Sequence, residues 1–221
     1  MAAIAEMARE ADPNSLSARL RRRRFDLFLD LVKDLPRPLR ILDLGGRQKF
    51  WEVMGFSDSS DVQITVANLE PVDARSENFR SLQADATDLH MVGDQEFDIA
   101  FSNSVIEHVG GFDQQRKMAN EMQRIAKSYF LQTPNYWFPI EAHVLVPGFQ
   151  WMPPAMQMQV VRNFKTGRDR RRYTDIEEAR ERVESIKLLN RRQLLELFPG
   201  ANLYEEKFMG LVKSLVVYQG F

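Results

Sequence analysis

The residues of this chain that could do chemistry stand where short apolar runs end. Asp43 lies near the end of the run 40–44, which stops at Gly45-Gly46. The alternating run 62–67 ends at Asn68-Leu-Glu-Pro71, and 79–83 leads into Ala84-Asp-Ala-Thr-Asp88. The run 97–102 ends at Asn103-Ser-Val-Ile-Glu-His-Val109, and 128–132 ends at Thr133-Pro-Asn135. Carboxylates and amides in this number can hold the hydroxyl and amino groups of a polar organic ligand. Glycine lets backbone approach that ligand closely. His108 and His143 supply bases if a proton has to leave. His143 closes the stretch Thr133-Pro-Asn-Tyr-Trp-Phe-Pro-Ile-Glu-Ala-His143, which pairs it with Glu141 and carries Tyr136 and Trp137 as walls for an acceptor or a face for a cation.

Such residues act together only if the fold gathers them. Each run has the length of a buried strand, and after Gly45-Gly46 the residues Phe50, Trp51, Val53 and Met54 recur at helical spacing. A helix is predicted over 113–126, with Met118, Met122 and Ile125 facing inwards. Strands alternating with helices argue for an open parallel sheet whose right-handed crossovers bring every strand end to one edge. Asp43, Glu70, Asp85, Asn103 and Asn135 then converge on the edge where such sheets bind ligands. Ahead of the first strand, residues 1–13 read as a loose terminus and 15–35 as a helix with Leu16, Leu20, Phe28, Leu31 and Leu35 on one side. Pro36 and Pro38 stop that helix. Arg21–Arg24 wrap around it and read as a solvated face with ends near a phosphate or an acidic surface.

From Tyr136 to about Ile186 the alternation breaks. Aromatic residues and Met come first, then a basic run (Arg162, Lys165, Arg168, Arg170, Arg171, Arg172), then a charged helix over 175–184. Asn190 is placed to cap a short helix, 191–198. Pro199-Gly200 then leads to a closing antiparallel pair, 203–208 and 213–218. The division expected is a segment and cap helix at 1–38 and a domain at 39–221 with an insertion at about 136–187.

Composition narrows the field. The chain has 221 residues, enough for one sizeable domain, with a formal charge of −1 and a pI near 6.3. That charge gives no global basic field, so a nucleic-acid partner is not expected. Cysteine is absent, which removes disulfides and thiolate chemistry. No apolar run approaches a membrane span, and the N-terminal ten residues make a poor signal sequence, so a cytoplasmic protein is expected. Without a helical His pair or clustered carboxylates in the sequence, no metal is expected.

The ordered set of motifs resembles the class I S-adenosylmethionine-dependent methyltransferases, specifically their small-molecule, type 11-like branch. The resemblance rests on Ile41-Leu-Asp-Leu-Gly45, Asn68-Leu-Glu-Pro71, Ala84-Asp-Ala-Thr-Asp-Leu89 and above all Phe97-Asp-Ile-Ala-Phe-Ser-Asn-Ser-Val-Ile-Glu-His-Val109. It covers roughly 40–135, and 188–218 is similar to that fold's final helix and reversed hairpin. It implies a Rossmann-like, doubly wound, mostly parallel sheet with a final antiparallel hairpin and a helical lid insertion at 136–187. S-adenosylmethionine is the implied cofactor. Asp43, Gly45 and Gly46 belong to the implied methionine turn. Glu70 is the better candidate for the ribose hydroxyls, with Asn68 sharing the position. Asp85 and the Ala86 backbone would meet the adenine, and Asn103 and Ser104 would lie under the sulfonium.

Two departures stand out. Arg47 and Lys49 occupy the second and third positions of the usual GxGxG pattern, and Asn68 stands where Asp is common. Bland alternatives remain: Asp85 and Asp88 as helix caps, Asn103 and Ser104 as strand-end caps, His108 or His143 as structural histidines, Phe50 and Trp51 as core. The expected reaction is in-line methyl transfer to a small-molecule or glycan-linked acceptor, with His108 and His143 as catalytic candidates. A non-catalytic binding module with the same fold is the alternative, supported by Arg47 and Lys49. A nicotinamide-dependent oxidoreductase would need G-x-G-x-x-G after the first strand, which is missing. The basic run leaves peripheral contact with an anionic membrane open, against a loop neutralised by the acidic helix after it.

Overall fold

A computed structural model describes residues 16–56, 60–74 and 76–221. The expected loose terminus and the start of the first helix at Ser15 lie outside the described residues. Helix α1 (Leu16–Val32) precedes β1 (Leu39–Leu44), α2 (Gln48–Val53), β2 (Val62–Asn68), β3 (Phe79–Gln83) and β4 (Phe97–Asn103). A 3₁₀ turn (Ile106–His108) leads to α3 (Phe112–Ile125) and β5 (Ala126–Pro134). The insertion carries α4 (Pro154–Asn163) and α5 (Ile176–Glu184). The chain then ends with α6 (Arg191–Leu197), β6 (Asn202–Phe208) and β7 (Leu211–Gln219).

The seven strands form one sheet in the order β3-β2-β1-β4-β5-β7-β6. β1 to β5 run parallel, while β7 pairs antiparallel with both β5 and β6. This is the doubly wound, mostly parallel sheet with a reversed final hairpin that the resemblance implies.

Alternation along β1 decides what each face receives. Leu39, Ile41 and Asp43 share the face covered by α1 and α2, and Leu42 and Leu44 share the face covered by α3 and α6. On the first face Phe25, Phe28, Phe50, Trp51, Phe101 and Phe130 make a continuous run of ring contacts with centroids 4.9–6.0 Å apart. Trp51 is fully buried there, so it is core rather than a ligand contact. On the second face Met118, Met122 and Ile125 are fully buried, as the helical spacing predicts, together with Leu194 and Phe198.

Three expectations are corrected. The parallel crossovers β2–β3 and β3–β4 carry no α-helix among the described residues; segment 84–96 is a chain of turns. Asp85 and Asp88 therefore cap no helix: Asp85 Oδ1 accepts from Thr87 N–H and Oγ1–H, both at 2.8 Å, closing a turn on itself. The first helix ends at Val32 rather than Leu35, with Leu35 N–H bonded back to the Val32 carbonyl. Finally, Arg21–Arg24 is not wholly a solvated face. Arg22 and Arg23 are exposed, but Arg24 reaches the buried Glu206 of β6 at 3.0 Å, its side chain 12% exposed against 2% for Glu206.

This ion pair ties α1 to the last hairpin, so the N-terminal helix is a working part of the domain. The guanidinium donates to Glu206 Oε2, and Oε1 has no hydrogen-bond partner, so removing the guanidinium strands a buried carboxylate. Arg24→Met should lower the unfolding free energy by about 3 kcal/mol in urea titration. Adding Glu206→Gln should recover part of that loss, and a cost near zero for the single variant would show the pair to be solvated.

Candidate active site

The site is built outward from the β1–α2 turn. Asp43 is 1% exposed, and its Oδ2 accepts the indole N–H of Trp51 at 2.7 Å. Its Oδ1 is buried without a partner. Burial pushes the carboxyl up to about 7, against the pull of the Trp51 hydrogen bond. Gly46 lies directly over this carboxylate: a Cβ there would fall 1.7 Å from Asp43 Oδ2. Gly45 has φ +71°, and a Cβ on it would fall 2.5 Å from Val105 Cγ2. Both glycines are thus required by contact, one by the carboxylate beneath and one by the loop after β4.

The side chains that break the glycine pattern point away from this packing. Arg47 and Lys49 are exposed, while Gln48 between them is buried and donates to Glu52 Oε1 at 2.8 Å and Ser76 Oγ at 3.1 Å. The turn is rebuilt around Gly46 and anchored by Gln48.

At the end of β2, Asn68 donates its side-chain N–H to the Gly46 carbonyl at 3.0 Å. An ionised carboxylate only accepts and could not make this bond. Asn in place of Asp therefore braces the rebuilt turn, and Glu70, two residues on, is exposed. Asp85 and Ala86 follow the adjacent β3, with Asp85 exposed beyond its turn to Thr87.

Asn103 and Ser104 end β4. Asn103 lines a small crevice on the α1 side together with Arg21, Arg24, Phe50 and Phe101. Ser104 takes φ +59°, uncommon for a non-glycine residue, and is held there by two bonds to Gln132 of β5: its N–H to the carbonyl and its hydroxyl to Oε1, each at 2.9 Å. Asn135 turns away from this group. Its side chain is bonded to the Val212 carbonyl and the Trp137 N–H, closing the insertion onto β7.

His108 and His143, far apart in sequence, meet with Nε2 atoms 3.0 Å apart. His108 comes from the 3₁₀ turn after β4 and His143 from the insertion. Glu141 Oε1 accepts from His143 Nδ1 at 2.7 Å, and its Oε2 accepts the His143 and Val144 N–H groups. His108 keeps an open ring edge, yet the protein packed around it, and then the facing His143, hold its pKa below the ordinary imidazole value. Beneath them lies Glu107, fully buried, with Oε2 accepting from Thr133 Oγ at 3.0 Å. Burial pushes this carboxyl up to about 7.

Glu107 is the site residue that sequence reasoning missed. Its one signal is position: a Glu between Ile106 and His108, in a segment otherwise apolar enough to be buried. Beside the cluster, between the start of α3 and the insertion, is a cavity of about 280 Å³ lined by Tyr136, Glu141, Gln150, Gln157 and Lys187 among others. That is close to the smallest volumes typical of small-molecule sites, about 300 Å³. None of the residues expected to hold the cofactor lines this cavity. The insertion that walls it has its own small core of Val144, Phe149, Val161 and Ala179. Its basic run is partly neutralised as expected, with Arg171 bonded to Glu178 of α5 at 2.8 Å.

A parallel sheet closed by a reversed hairpin, with a glycine turn and polar strand ends on one edge, defines a methyltransferase-type α/β fold. Comparison with known proteins gives the same answer. Residues 42–129 match the family described as a methyltransferase domain. An uncharacterized protein of Mycobacterium tuberculosis (strain H37Rv) is 36% identical over 58 residues, which is 26% of this chain and 20% of that protein. The match thus spans only a fifth of the curated relative. Among solved structures, the CurJ carbon methyltransferase aligns over 93% of this chain and 55% of its own, at 10% identity and a TM-score of 0.55. A Rhodobacter sphaeroides protein named as a zinc-dependent alcohol dehydrogenase aligns over 89% and 87%, at 11% identity and 0.54. A Nostoc punctiforme protein named as an O-methyltransferase aligns over 98% and 60%, at 10% identity and 0.52. At these identities the structural matches establish the fold alone. No helix among the described residues is long and apolar enough to cross a membrane.

Asp43 gives the site a measurable pH signature. Folded, it keeps its proton up to about pH 7, whereas an unfolded Asp loses it near pH 4. Between these values the folded chain holds the extra proton, so rising pH costs stability there and costs no more above about 7. Asp43→Asn can still accept the Trp51 N–H but does not titrate. Its stability relative to the wild type, from urea unfolding, should rise by about 1 kcal/mol per pH unit between about 4 and 7 and then level off. A difference independent of pH would mean that Asp43 is ionised throughout.

Proposed function

We propose that this protein transfers the methyl group of S-adenosylmethionine to a small-molecule or glycan-linked acceptor that enters from the side of the 136–187 insertion. The observation that carries the reading is the His108–His143 contact. It joins the turn after β4, where the fold's cofactor edge ends, to the insertion that walls a small-molecule-sized cavity.

The donor supplies an activated methyl on a positively charged sulfur, so the chain has mainly to align and to manage the acceptor's proton. Gly45 and Gly46 give the donor's amino-acid end access to backbone. Glu70 is the ribose carboxylate, Asn68 ahead of it braces the Gly46 turn, and Asp85 with the Ala86 backbone receives the adenine. Asn103 and Ser104 close the floor, Ser104 fixed by Gln132. The acceptor's nucleophilic atom forms its bond to the methyl carbon as the carbon–sulfur bond breaks, with the electron pair left on sulfur. The released proton goes to the histidine pair. The neutral overall charge and the absence of an Asn/Asp-Pro-Pro-Tyr-type motif after β4 argue against a nucleic-acid acceptor, and a cytoplasmic location suits a small metabolite.

A binding module without catalysis is the competing reading, and the exposed Arg47 and Lys49 in the glycine turn favour it. Calorimetric titration with S-adenosylhomocysteine separates the two. Binding in the micromolar range, weakened by about tenfold or more in Glu70→Ala and in Asp85→Ala, is the expected result. A folded protein that binds neither S-adenosylmethionine nor S-adenosylhomocysteine would overturn the methyl-transfer reading.

A further inference from the structure

The way the two histidines are hydrogen-bonded leaves an electrostatic conflict at the centre of the cluster. A backbone carbonyl can only accept, so the His108 nitrogen facing the Ser185 carbonyl at 3.2 Å, Nδ1, carries the hydrogen. Glu141, an acceptor for two backbone N–H groups, likewise takes the hydrogen of His143 Nδ1. Each neutral ring is thereby left with its lone pair on Nε2, and these two nitrogens face one another at 3.0 Å. Two acceptors in contact need a positive species between them. A third acceptor points the same way: Glu107 Oε1 lies 3.9 Å from His143 Nε2, on a fully buried side chain, with no hydrogen-bond partner of its own.

We propose that Glu107, His108 and His143 form a binding site for a divalent transition-metal cation of the zinc type. Their ligand atoms all lie within 4.8 Å of one another. Tetrahedral zinc with bonds of about 2.0–2.1 Å requires ligand atoms about 3.3 Å apart, a value bracketed by the 3.0 and 3.9 Å separations here. Two imidazoles and one carboxylate suit zinc and its first-row neighbours, whereas magnesium and calcium favour oxygen alone. Each ligand is also held by a second group, as metal ligands characteristically are: His143 by Glu141, His108 by the Ser185 carbonyl, and Glu107 by Thr133. Three protein ligands leave a fourth position open. His108 presents an exposed edge, and Glu141, which holds His143, also lines the neighbouring cavity.

Cation binding is independent of methyl transfer, but its use rests on the proposed function. A cation there would take both Nε2 lone pairs, so the histidines would serve as ligands in place of the proton acceptor named above; the cation would lower the pKa of an acceptor hydroxyl bound to it, and that proton would leave to solvent. The sequence conceals the site because it offers no paired ligands at helical spacing. Glu107 and His108 are adjacent in one turn, and His143 arrives from the insertion.

The test uses the 221-residue chain, stripped of metal with a chelator. Cobalt(II) is titrated while its visible d–d absorption is followed, zinc(II) is titrated by calorimetry, and S-adenosylhomocysteine binding is measured with and without metal. One equivalent of each cation is expected to bind, with a cobalt spectrum of low-coordinate type. Affinity should fall about tenfold or more in Glu107→Gln and His143→Ala, and by about 10–100-fold in Glu141→Gln, which touches no metal. Thermal melts of the stripped variants confirm folding, and His108→Gln, at the exposed position, gives a second ligand test if the buried changes unfold the chain. Failure of the stripped wild type to take up either cation would overturn the proposal, as would uptake unchanged in every variant; the histidines would then share a proton instead. S-adenosylhomocysteine binding without cation uptake removes the metal and leaves the methyltransferase. Cation uptake without S-adenosylhomocysteine binding does the reverse.

Discussion

The buried bond between Asp43 and the Trp51 indole is the constraint on which the ligand edge depends. It fixes a carboxylate under the β1–α2 turn, and that carboxylate leaves no room for a side chain at position 46. The chain must pass over it with its backbone bare. Gly45 is pinned from the other side by Val105, so the turn is held between β1 and the loop that follows β4. Asn68 then fastens the turn to the end of β2 through the Gly46 carbonyl. Three strand ends are thus registered on one another around a single buried carboxyl group, and Trp51 joins that arrangement to the aromatic core beneath α1.

This packing accounts for both departures from the pattern of the family that the sequence resembles. Glycines further along the turn would be needed only where something crowds the backbone, and Arg47 and Lys49 meet nothing because both project into solvent. Gln48 does the anchoring that a tighter loop would do by its shape. Asn68 replaces a carboxylate with a donor because the carbonyl it faces can only accept. The two departures are thus coupled: a turn rebuilt on Gly46 presents its carbonyl to β2, and β2 answers with an amide.

The sheet was legible because its signals are local. β3 falls on the expected residues, and β1, β4 and the closing pair differ from expectation by a residue or two at their ends, where strands fray into the turns that carry function. Missing helices on the β2–β3 and β3–β4 crossovers could not be read from polar end residues, which serve a turn such as Asp85–Thr87 as well as a helix cap. Arg24 was misread for a related reason. Four arginines in a row fix the composition of a helix surface, but only the approach of Glu206, a residue 182 positions away, decides which of the four is buried.

The same limit governs the histidine cluster, where it matters most. Metal ligands are legible in a sequence when one helix or one loop presents several of them at a fixed interval. Here the interval is made by the fold. His108 is set by the turn after β4, His143 by an insertion whose small core packs independently of the sheet, and Glu107 is driven into the protein by its apolar neighbours with only Thr133 to satisfy one oxygen. A Glu buried by its position in an apolar turn costs stability unless something there uses its charge. The two imidazoles above it, each committed to a partner through Nδ1, turn their remaining lone pairs toward the same small volume. Packing alone offers no reason for three acceptors to converge, and a cation held between the sheet edge and the insertion is the species that resolves it.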